Sequence, residues 1–483
     1  MNTYKKDSLS TLFEKWAGSP AEQISALPVS GSYREYFRLQ GAGKTAIGVY
    51  NLDQKENHAF LSFTRHFHQK GLPVPEIYGE NTADHTYLLE DLGDQTLFQH
   101  LFAARKEGEF PVALEYNYQK ALEELVLFQT QGGEGLDYGA CYPRASFDRQ
   151  SMLWDLNYFK YYFLKLVRAP FDEQQLEEDF ETFASYLLQT RHDFFLYRDF
   201  QARNIMIHEG KHYFIDYQGG RKGALQYDLA SLLYQAKANL PEELRERLLH
   251  HYLDALEQQI EVDREEFIQF YYAYVLMRTI QVLGAYGFRG FYERKTHFLE
   301  SIPYAVRNLE SILGKIKLPV EIPGLMKCFQ YIIEHEDFRS FGHIKPENAS
   351  LVVSVQSFSY KQGLPEDGTE HGGGYMFDCR GLHNPGRYQP YKKLTGRDPE
   401  VIRFLHEQSD VEHYLENVFG LVSNSVERYL KRGFTYLAVN FGCTGGQHRS
   451  VYCADRTAQF LSKKYNVTVD LFHREQERKG WVN

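Results

Sequence analysis

Tyr197-Arg198-Asp199-Phe200-Gln201-Ala202-Arg203-Asn204, followed by an apolar segment ending in Ile215-Asp216, is the stretch from which the rest of the chain can be read. An Asp, an Asn five residues on and a second Asp beyond a short hairpin are the three polar groups a kinase requires. One accepts the proton of the acceptor hydroxyl, and two hold Mg²⁺ against the nucleotide phosphates. The spacing makes Asp199 the candidate base and Asn204 and Asp216 the candidate metal ligands, with ATP and Mg²⁺ as the expected cofactors. Ile205-Met206-Ile207 predicts a short strand, His208 to Lys211 a turn, and His212 to Ile215 the returning strand. That hairpin sets Asn204 beside Asp216. D-x-x-x-x-N alone is common and Asx residues favour turns in any fold, so the second Asp in register carries the inference.

At 483 residues, with 43% hydrophobic and 15% aromatic residues, the chain can build two or three packed cores. There is no run of eighteen apolar residues, and Met1 to Asp7 lacks the apolar centre of a signal peptide, which predicts a soluble cytoplasmic protein without a membrane partner. Five widely spaced cysteines with no C-x-x-C pair point away from a disulfide framework or zinc site. The net charge of −10 is uneven: from Lys345 onward 18 Lys and Arg face 16 Asp and Glu, about +2, leaving about −12 on the first 344 residues. The acidic part is a poor nucleic-acid binder, whereas the C-terminal part can hold an anion.

Residues 27–50 alternate apolar and polar, with Gly31, Gly41 and Gly43 at turns, and predict a β-hairpin; Glu56 to Gln69 predicts a helix. Tyr87-Leu88-Leu89-Glu90-Asp91-Leu92-Gly93 reads as a strand entering the connector where a two-lobed kinase hinges. Ser30, Gly31 and Ser32 are placed at the phosphates through their N–H groups, and Glu90 and Leu92 at the nucleotide. Leu122 to Phe128, Trp154 to Val167, Pro241 to Gln259 (with Pro at its first helical position) and Glu265 to Leu283 carry helical periodicity, and Leu325 to Glu334 reads as one more helix. Asp228 reads as a structural N-cap. Glu56 reads more readily as a solvated first-turn charge than as the partner of a cation near the phosphates. Phe147 to Phe163 and the helix around Arg278 to Phe288 are the expected substrate wall, although such stripes are more often core. The expected division is a kinase domain at 1–338, a linker at 339–349 and an α/β domain at 350–483, with a strand at Leu351 to Val355, a Gly-rich loop at 363–375 and a buried strand at Tyr436 to Phe441.

The first part resembles the aminoglycoside phosphotransferase-like kinases, and within them the N-acetylmuramate/N-acetylglucosamine 1-kinases of cell-wall sugar recycling. The resemblance runs from about 25 to 335. It rests on Ser32 to Arg38, Leu89 to Gly93, Arg198-Asp199-Phe200, Arg203-Asn204, Ile215 to Gln218 and Gln226 to Leu233. It implies an α+β two-lobed protein-kinase-like fold and a small-molecule amino-sugar substrate phosphorylated on its anomeric hydroxyl. Two positions depart from the pattern. Tyr197 stands where many kinases have His, and no Lys lies within the strand Thr45 to Tyr50, although Lys44 sits just before it.

In the second part, Cys443-Thr444-Gly445-Gly446-Gln447-His448-Arg449-Ser450 lies between a strand and an apolar helix starting near Val451, an arrangement that cradles anions. Arg449 is suited to fork onto phosphate oxygens. The spacing Cys-x5-Arg-Ser also occurs in cysteine-dependent phosphatases, a weaker alternative because Gly442 stands where those enzymes usually have His. Together with Ser357 to Pro365, Phe377 to Pro385, Leu394-Thr395-Gly396 and Phe472-His473-Arg474, the loop resembles the C-terminal domain of the RNase adapter protein RapZ over about 350–480. The resemblance implies an α/β domain with a hexosamine phosphate as ligand, mapped onto Thr444, Gly445, His448 and Arg449 with Asp378, Arg380 and His383. The near-zero charge of this half disfavours RNA as a partner. Three readings stay open: an amino-sugar kinase with a sugar-phosphate-sensing domain, a kinase of choline, an aminoglycoside or another small alcohol, and a non-catalytic adapter with a degenerate kinase domain.

Overall fold

The computed structural model describes residues 3–28, 34–104, 110–293, 295–340, 351–365, 374–432, 434–465 and 467–478. Ser30, Gly31 and Ser32, most of the expected linker and the middle of the Gly-rich loop lie outside the described residues. The chain divides into two compact units, the first of residues 1–293 and 298–341 and the second of residues 342–483 with the short stretch 294–297.

The first unit opens with α1 (Thr3–Ala17) and a five-stranded antiparallel sheet of order β1-β2-β3-β5-β4, formed by β1 (Gln23–Ala26), β2 (Glu35–Gly41), β3 (Lys44–Tyr50), β4 (Ile77–Asn81) and β5 (Thr86–Glu90). The alternation of β5 places Leu88 on one face, packed with Leu9 and Phe13 of α1. Tyr87 and Leu89 lie on the other face, in the main core with Phe60 of α2 (Gln54–Gln69). The β2–β3 hairpin turns at Ala42 and Gly43, both with positive φ (53° and 71°), the geometry a two-residue hairpin loop demands. Asp53 caps α2 by accepting the N–H groups of Lys55 and Glu56 at 3.1 Å each.

Beyond β5 the unit is mostly helical: α3 (Leu97–Ala104), α4 (Val112–Gln129), α5 (Arg149–Phe159), α6 (Glu173–Leu187), α7 (Leu225–Leu233), α8 (Glu242–Glu257), α9 (Arg264–Tyr286), α10 (Thr296–Leu299), α11 (Ile302–Leu313), α12 (Pro323–Glu334) and α13 (Glu336–Ser340). Two ribbons interrupt the helices. They pair β6 (Phe194–Leu196) with β9 (Arg221–Gly223), and β7 (Ile205–His208) with β8 (Lys211–Phe214). The β7–β8 hairpin is the one the sequence predicts. Pro241 proves to be the N-cap of α8 rather than its first helical residue. The helix expected from Trp154 to Val167 becomes a π-helical turn at Lys160–Leu164, facing a second one at Gly287–Tyr292. The two pack through Tyr162 and Phe288, with ring centroids 4.9 Å apart.

The second unit is a four-stranded parallel sheet of order β11-β12-β10-β13, from β10 (Val352–Ser359), β11 (Gly374–Asp378), β12 (Tyr436–Cys443) and β13 (Thr468–His473). Helices α14 (Pro399–Gln408) and α15 (Val411–Arg432) connect β11 to β12, α16 (Arg449–Lys464) connects β12 to β13, and α17 (Arg474–Arg478) follows. β12 is buried along nearly its whole length, as a central parallel strand covered on both faces must be.

A Cβ on Gly287 would lie 1.9 Å from the Tyr162 carbonyl oxygen, a backbone atom that cannot swing away. Gly287→Ala is therefore expected to destabilise the chain by about 1–3 kcal/mol in chemical denaturation. Gly314→Ala, at φ −72° with its nearest neighbour 3.5 Å away, is expected to stay within about 0.5 kcal/mol.

Candidate active site

Tyr197 to Asn204 leaves the end of β6 as a loop held from beneath. The Asp228 carboxylate on α7 is fully buried and accepts the N–H groups of Tyr197 (2.7 Å) and Arg198 (2.9 Å) and the Nε2–H of Gln129 (3.2 Å). Burial pushes its pKa up to about 7 against these three donors, which favour the anion. Arg198 needs the support, because its φ of 81° costs a non-glycine residue on the order of 1 kcal/mol. Asp228 is thus structural, as expected, but it is not an N-cap. Ala224 occupies that position and Asp228 lies within the helix, facing the loop.

Tyr197 resolves the first departure from the kinase pattern. Its ring is buried among Phe128, Phe195, Phe200 and Tyr217, and its hydroxyl donates to the Ile215 carbonyl at 2.6 Å. The loop bearing Asp199 is thereby joined to the residue preceding Asp216. Asn204 donates through Nδ2 to the Asp199 carbonyl (2.9 Å) and to Asp216 Oδ2 (3.2 Å), so the hairpin does bring Asn204 and Asp216 together. Gln218 Nε2 donates to the other Asp216 oxygen at 2.7 Å. Asp216 has φ 71°, and burial raises its pKa, opposed by Arg34.

The Asp199 carboxylate is 42% exposed and meets Arg278 Nη2 at 3.2 Å. Burial alone would raise its pKa, but Arg278, Arg198 and Arg203 outweigh that and hold it below the usual carboxylate range. Arg198 is turned away onto Asp155 of α5 (2.7 and 2.8 Å) and the Tyr227 hydroxyl (2.6 Å). Arg278 was placed only on a substrate-facing helix by the sequence; its pairing with the base, and Asp155, were missed. Within the aromatic stripe, Phe147, Phe159 and Phe163 are core, whereas Trp154 and Tyr161 are exposed.

Glu56 is not a solvated charge. Its carboxylate lies 2.6 Å from Arg34 Nη2 and accepts Asn51 Nδ2–H at 2.9 Å. Lys44 is engaged elsewhere, over the Trp16 ring at 5.0 Å and near the Ala17 carbonyl. At the hinge, the Glu90 N–H bonds the Glu76 carbonyl (2.9 Å) and the Leu92 side chain is buried. Arg38 of β2 grips Asp91 (2.8 Å) and Asp94 (2.9 Å). Among the described residues no group of three or more His, Cys, Asp or Glu is arranged to hold a metal, and no helix is long and apolar enough to cross a membrane.

In the second unit the loop after β12 turns at Gly446 (φ 66°), where a Cβ would lie 2.4 Å from Glu475 Cγ. The buried Cys443 sulfur faces the Gly446 N–H (3.2 Å) and Ser450 Oγ (3.1 Å). Thr444 and Gly445 are exposed at the head of α16. Arg449 is buried, and its Nη1 donates to the carbonyls of Arg380 (3.0 Å) and Leu382 (2.8 Å). It therefore splices the loop to the segment carrying Asp378, Arg380 and His383 rather than standing free to fork onto an anion. His448 donates through Nε2 to the Tyr391 carbonyl (2.9 Å), and burial lowers its pKa, which keeps it neutral. Asp378 and Arg380 form an exposed bidentate pair, with Arg380 also 4.1 Å over the Tyr360 ring. His383 spans the Gln408 carbonyl and the Tyr388 hydroxyl, each at 3.1 Å.

The first unit has a kinase-like α+β fold in which Asn204 links the Asp199 main chain to the Asp216 carboxylate. The chain belongs to the Phosphotransferase enzyme family (APH), whose model matches residues 24–265, and residues 351–477 match the RapZ C-terminal domain. A nucleotide-binding protein of Fervidobacterium nodosum is 39% identical over 129 residues, 26% of this chain and 43% of that protein. Another, from Methylococcus capsulatus, is 40% identical over 131 residues, 27% of this chain and 42% of that one. The chain thus spans little more than two fifths of these curated relatives. Among solved structures, a thermostable mutant of aminoglycoside phosphotransferase APH(4)-Ia gives a TM-score of 0.42 at 13% identity, covering 63% of this chain and 98% of that one. Plasmodium vivax ethanolamine kinase gives 0.43 at 13% (63% and 84%), and choline kinase from Cryptosporidium parvum gives 0.43 at 10% (65% and 93%).

Asp228→Asn sets an amide N–H against a backbone N–H, and is expected to lower stability by about 1–3 kcal/mol by chemical denaturation and to depress any phosphotransferase activity more than Tyr197→Phe. Tyr197→Phe leaves the Ile215 carbonyl without its hydroxyl donor and is expected to cost about 1 kcal/mol.

Proposed function

We propose that the first unit transfers the γ-phosphoryl group of ATP, bound with Mg²⁺, to the anomeric hydroxyl of N-acetylmuramate or N-acetylglucosamine in the cytoplasm. The observation that carries the choice of acceptor is the buried Arg278 on Asp199, backed by Arg198 and Arg203. A base paired with a buried arginine suits a neutral or anionic sugar better than the cationic groups of choline and aminoglycosides. N-acetylmuramate carries a carboxylate, which fits best. The ordered Asp199, Asn204 and Asp216 favour this over a degenerate, non-catalytic kinase domain.

Asp216 and Asn204 offer carboxylate and amide oxygens, a hard donor set too small to hold Mg²⁺ alone but suited to it when nucleotide phosphates complete the shell. When bound there, ATP would supply the phosphoryl group and Mg²⁺ held by Asp216 and Asn204 would offset the charge that develops on it. Asp199, held by Arg278, orients the sugar hydroxyl and accepts its proton. Arg278 keeps the carboxylate ionised. Tyr197 and Asn204 fix the distance between the base and the metal ligands, so that positioning and electrostatics do most of the work.

For the second unit we assign a hexosamine phosphate to the surface formed by Thr444, Gly445, Asp378, Arg380 and His383, with Arg449 and His448 bracing it. For the domain limits we propose 1–338 and 350–483 about a linker at 339–349, close to the division after residue 341. If the ligand's affinity differs between two states of the kinase, it regulates the rate.

Incubation with ATP, Mg²⁺ and a panel of N-acetylmuramate, N-acetylglucosamine, choline and kanamycin is expected to show sugar 1-phosphate alone. Turnover of choline or kanamycin in preference to the sugars would reject the acceptor assignment. Asp199→Ala and Asp216→Ala are each expected to lower kcat on the order of 10³-fold with the fold intact by circular dichroism. Calorimetric titration with glucosamine-6-phosphate is expected to show one site per chain, weakened at least tenfold by Arg380→Ala.

A further inference from the structure

We infer that Arg34 is the cation that grips the nucleotide phosphates, in the role that the absent strand lysine would otherwise fill. This rests on the assignment of the first unit as an ATP-dependent kinase.

Arg34 immediately precedes β2, and only 4% of it is exposed. A guanidinium is buried at the cost of its hydration, and the fold keeps one here only with built acceptors. On one side Nη2 meets Glu56 at 2.6 Å. Glu56 is itself fixed, by Asn51 Nδ2 at 2.9 Å and by its own N–H on the Asp53 cap at 3.1 Å. On the other side Nη1 comes within 3.7 Å of Asp216 Oδ1, the carboxylate assigned to the metal. The Tyr36 hydroxyl, 3.5 Å from Nη1, adds a third contact. Arg34 therefore spans from the first turn of α2 to the end of the β7–β8 hairpin, across the cleft where phosphates must lie if Asp216 and Asn204 hold their metal.

The lysine expected in this place is missing because β3 has none beyond Lys44, and Lys44 is committed to Trp16 on the α1 side of the sheet. A positive charge paired with a helix-borne Glu is what remains of the usual arrangement, carried by a different residue at the entry to the neighbouring strand. The change from ammonium to guanidinium suits the geometry. A planar fork can keep Glu56 with one nitrogen while another faces an oxygen of phosphate or carboxylate, which a single ammonium does less well. The sequence held the signal in the stretch Ser32 to Arg38, but with no lysine to displace, Arg34 had no assigned task.

The test measures binding of MgADP and of adenosine to the full chain by calorimetry, for the wild type, Arg34→Met, Arg34→Lys and Glu56→Gln, with thermal melts to confirm folding. Arg34→Met is expected to weaken MgADP at least thirtyfold while adenosine changes less than threefold. Arg34→Lys should recover part of the loss, and Glu56→Gln should fall between. Steady-state assays should show KM for ATP rising in Arg34→Met and KM for the sugar unchanged. Unchanged MgADP affinity in a folded Arg34→Met, or an equal loss for adenosine, would overturn the inference and leave the kinase assignment standing. Failure of the wild type to bind MgADP at all would overturn both. If Arg34→Met fails to fold, Arg34→Gln decides: MgADP affinity within threefold of wild type in that folded variant would overturn the inference, and a loss of at least tenfold with adenosine unchanged would support it.

Discussion

One carboxylate deep in the helical lobe sets the geometry of everything above it. Asp228 receives the N–H groups of two consecutive residues, Tyr197 and Arg198, and so stabilises a backbone conformation that Arg198 would not adopt by itself. From that fixed point the loop presents Asp199 to the cleft. The Tyr197 hydroxyl carries the constraint on to Ile215, and Asn204 carries it to Asp216. Three groups separated in sequence are held by a hydrogen-bonded frame with little slack. Such a frame is worth more to phosphoryl transfer than any single charge, because the chemistry asks the protein chiefly for position.

Charge then distinguishes this cleft from a generic one. Arg278 reaches Asp199 from α9, and Arg198 is neutralised by Asp155 rather than left to compete for the base. The result is a carboxylate whose pKa is held down in partly buried surroundings by its pairing with Arg278. The second unit uses its arginine differently. Arg449 lies at the head of a helix in a glycine loop, yet its Nη1 is given to two main-chain carbonyls and knits two segments together. In both units a residue type often taken as a ligand contact turns out to be a brace.

Short-range pattern made much of this legible in the sequence. The β7–β8 hairpin followed from two apolar triplets about a turn, and the pairing of Asn204 with Asp216 followed from the hairpin. The Cys443 to Ser450 loop could be placed between a buried strand and a helix for the same reason. What stayed hidden depends on long-range side-chain reach. Asp228 looked like a cap because its polar partners come from a loop thirty residues away, and periodicity carries no information about them. Glu56 looked solvated because its partner, Arg34, comes from the segment just before β2, which helical spacing does not reveal. Tyr197 looked like a departure from the kinase pattern because a hydroxyl that bonds a main-chain carbonyl leaves no trace in any motif.

The grip of Arg38 on Asp91 and Asp94 has a mechanical meaning. Those two acids, though they belong to the connector, are fastened to β2 and travel with the small lobe. The very next residue belongs to the other side, since the Gln95 carbonyl accepts the Ile207 N–H at 2.8 Å and Thr96 bridges to Met206. Along this strand of the connection the contacts change sides between Asp94 and Gln95. The anchoring of the connector thus passes from β2 to the β7–β8 ribbon within a single peptide unit.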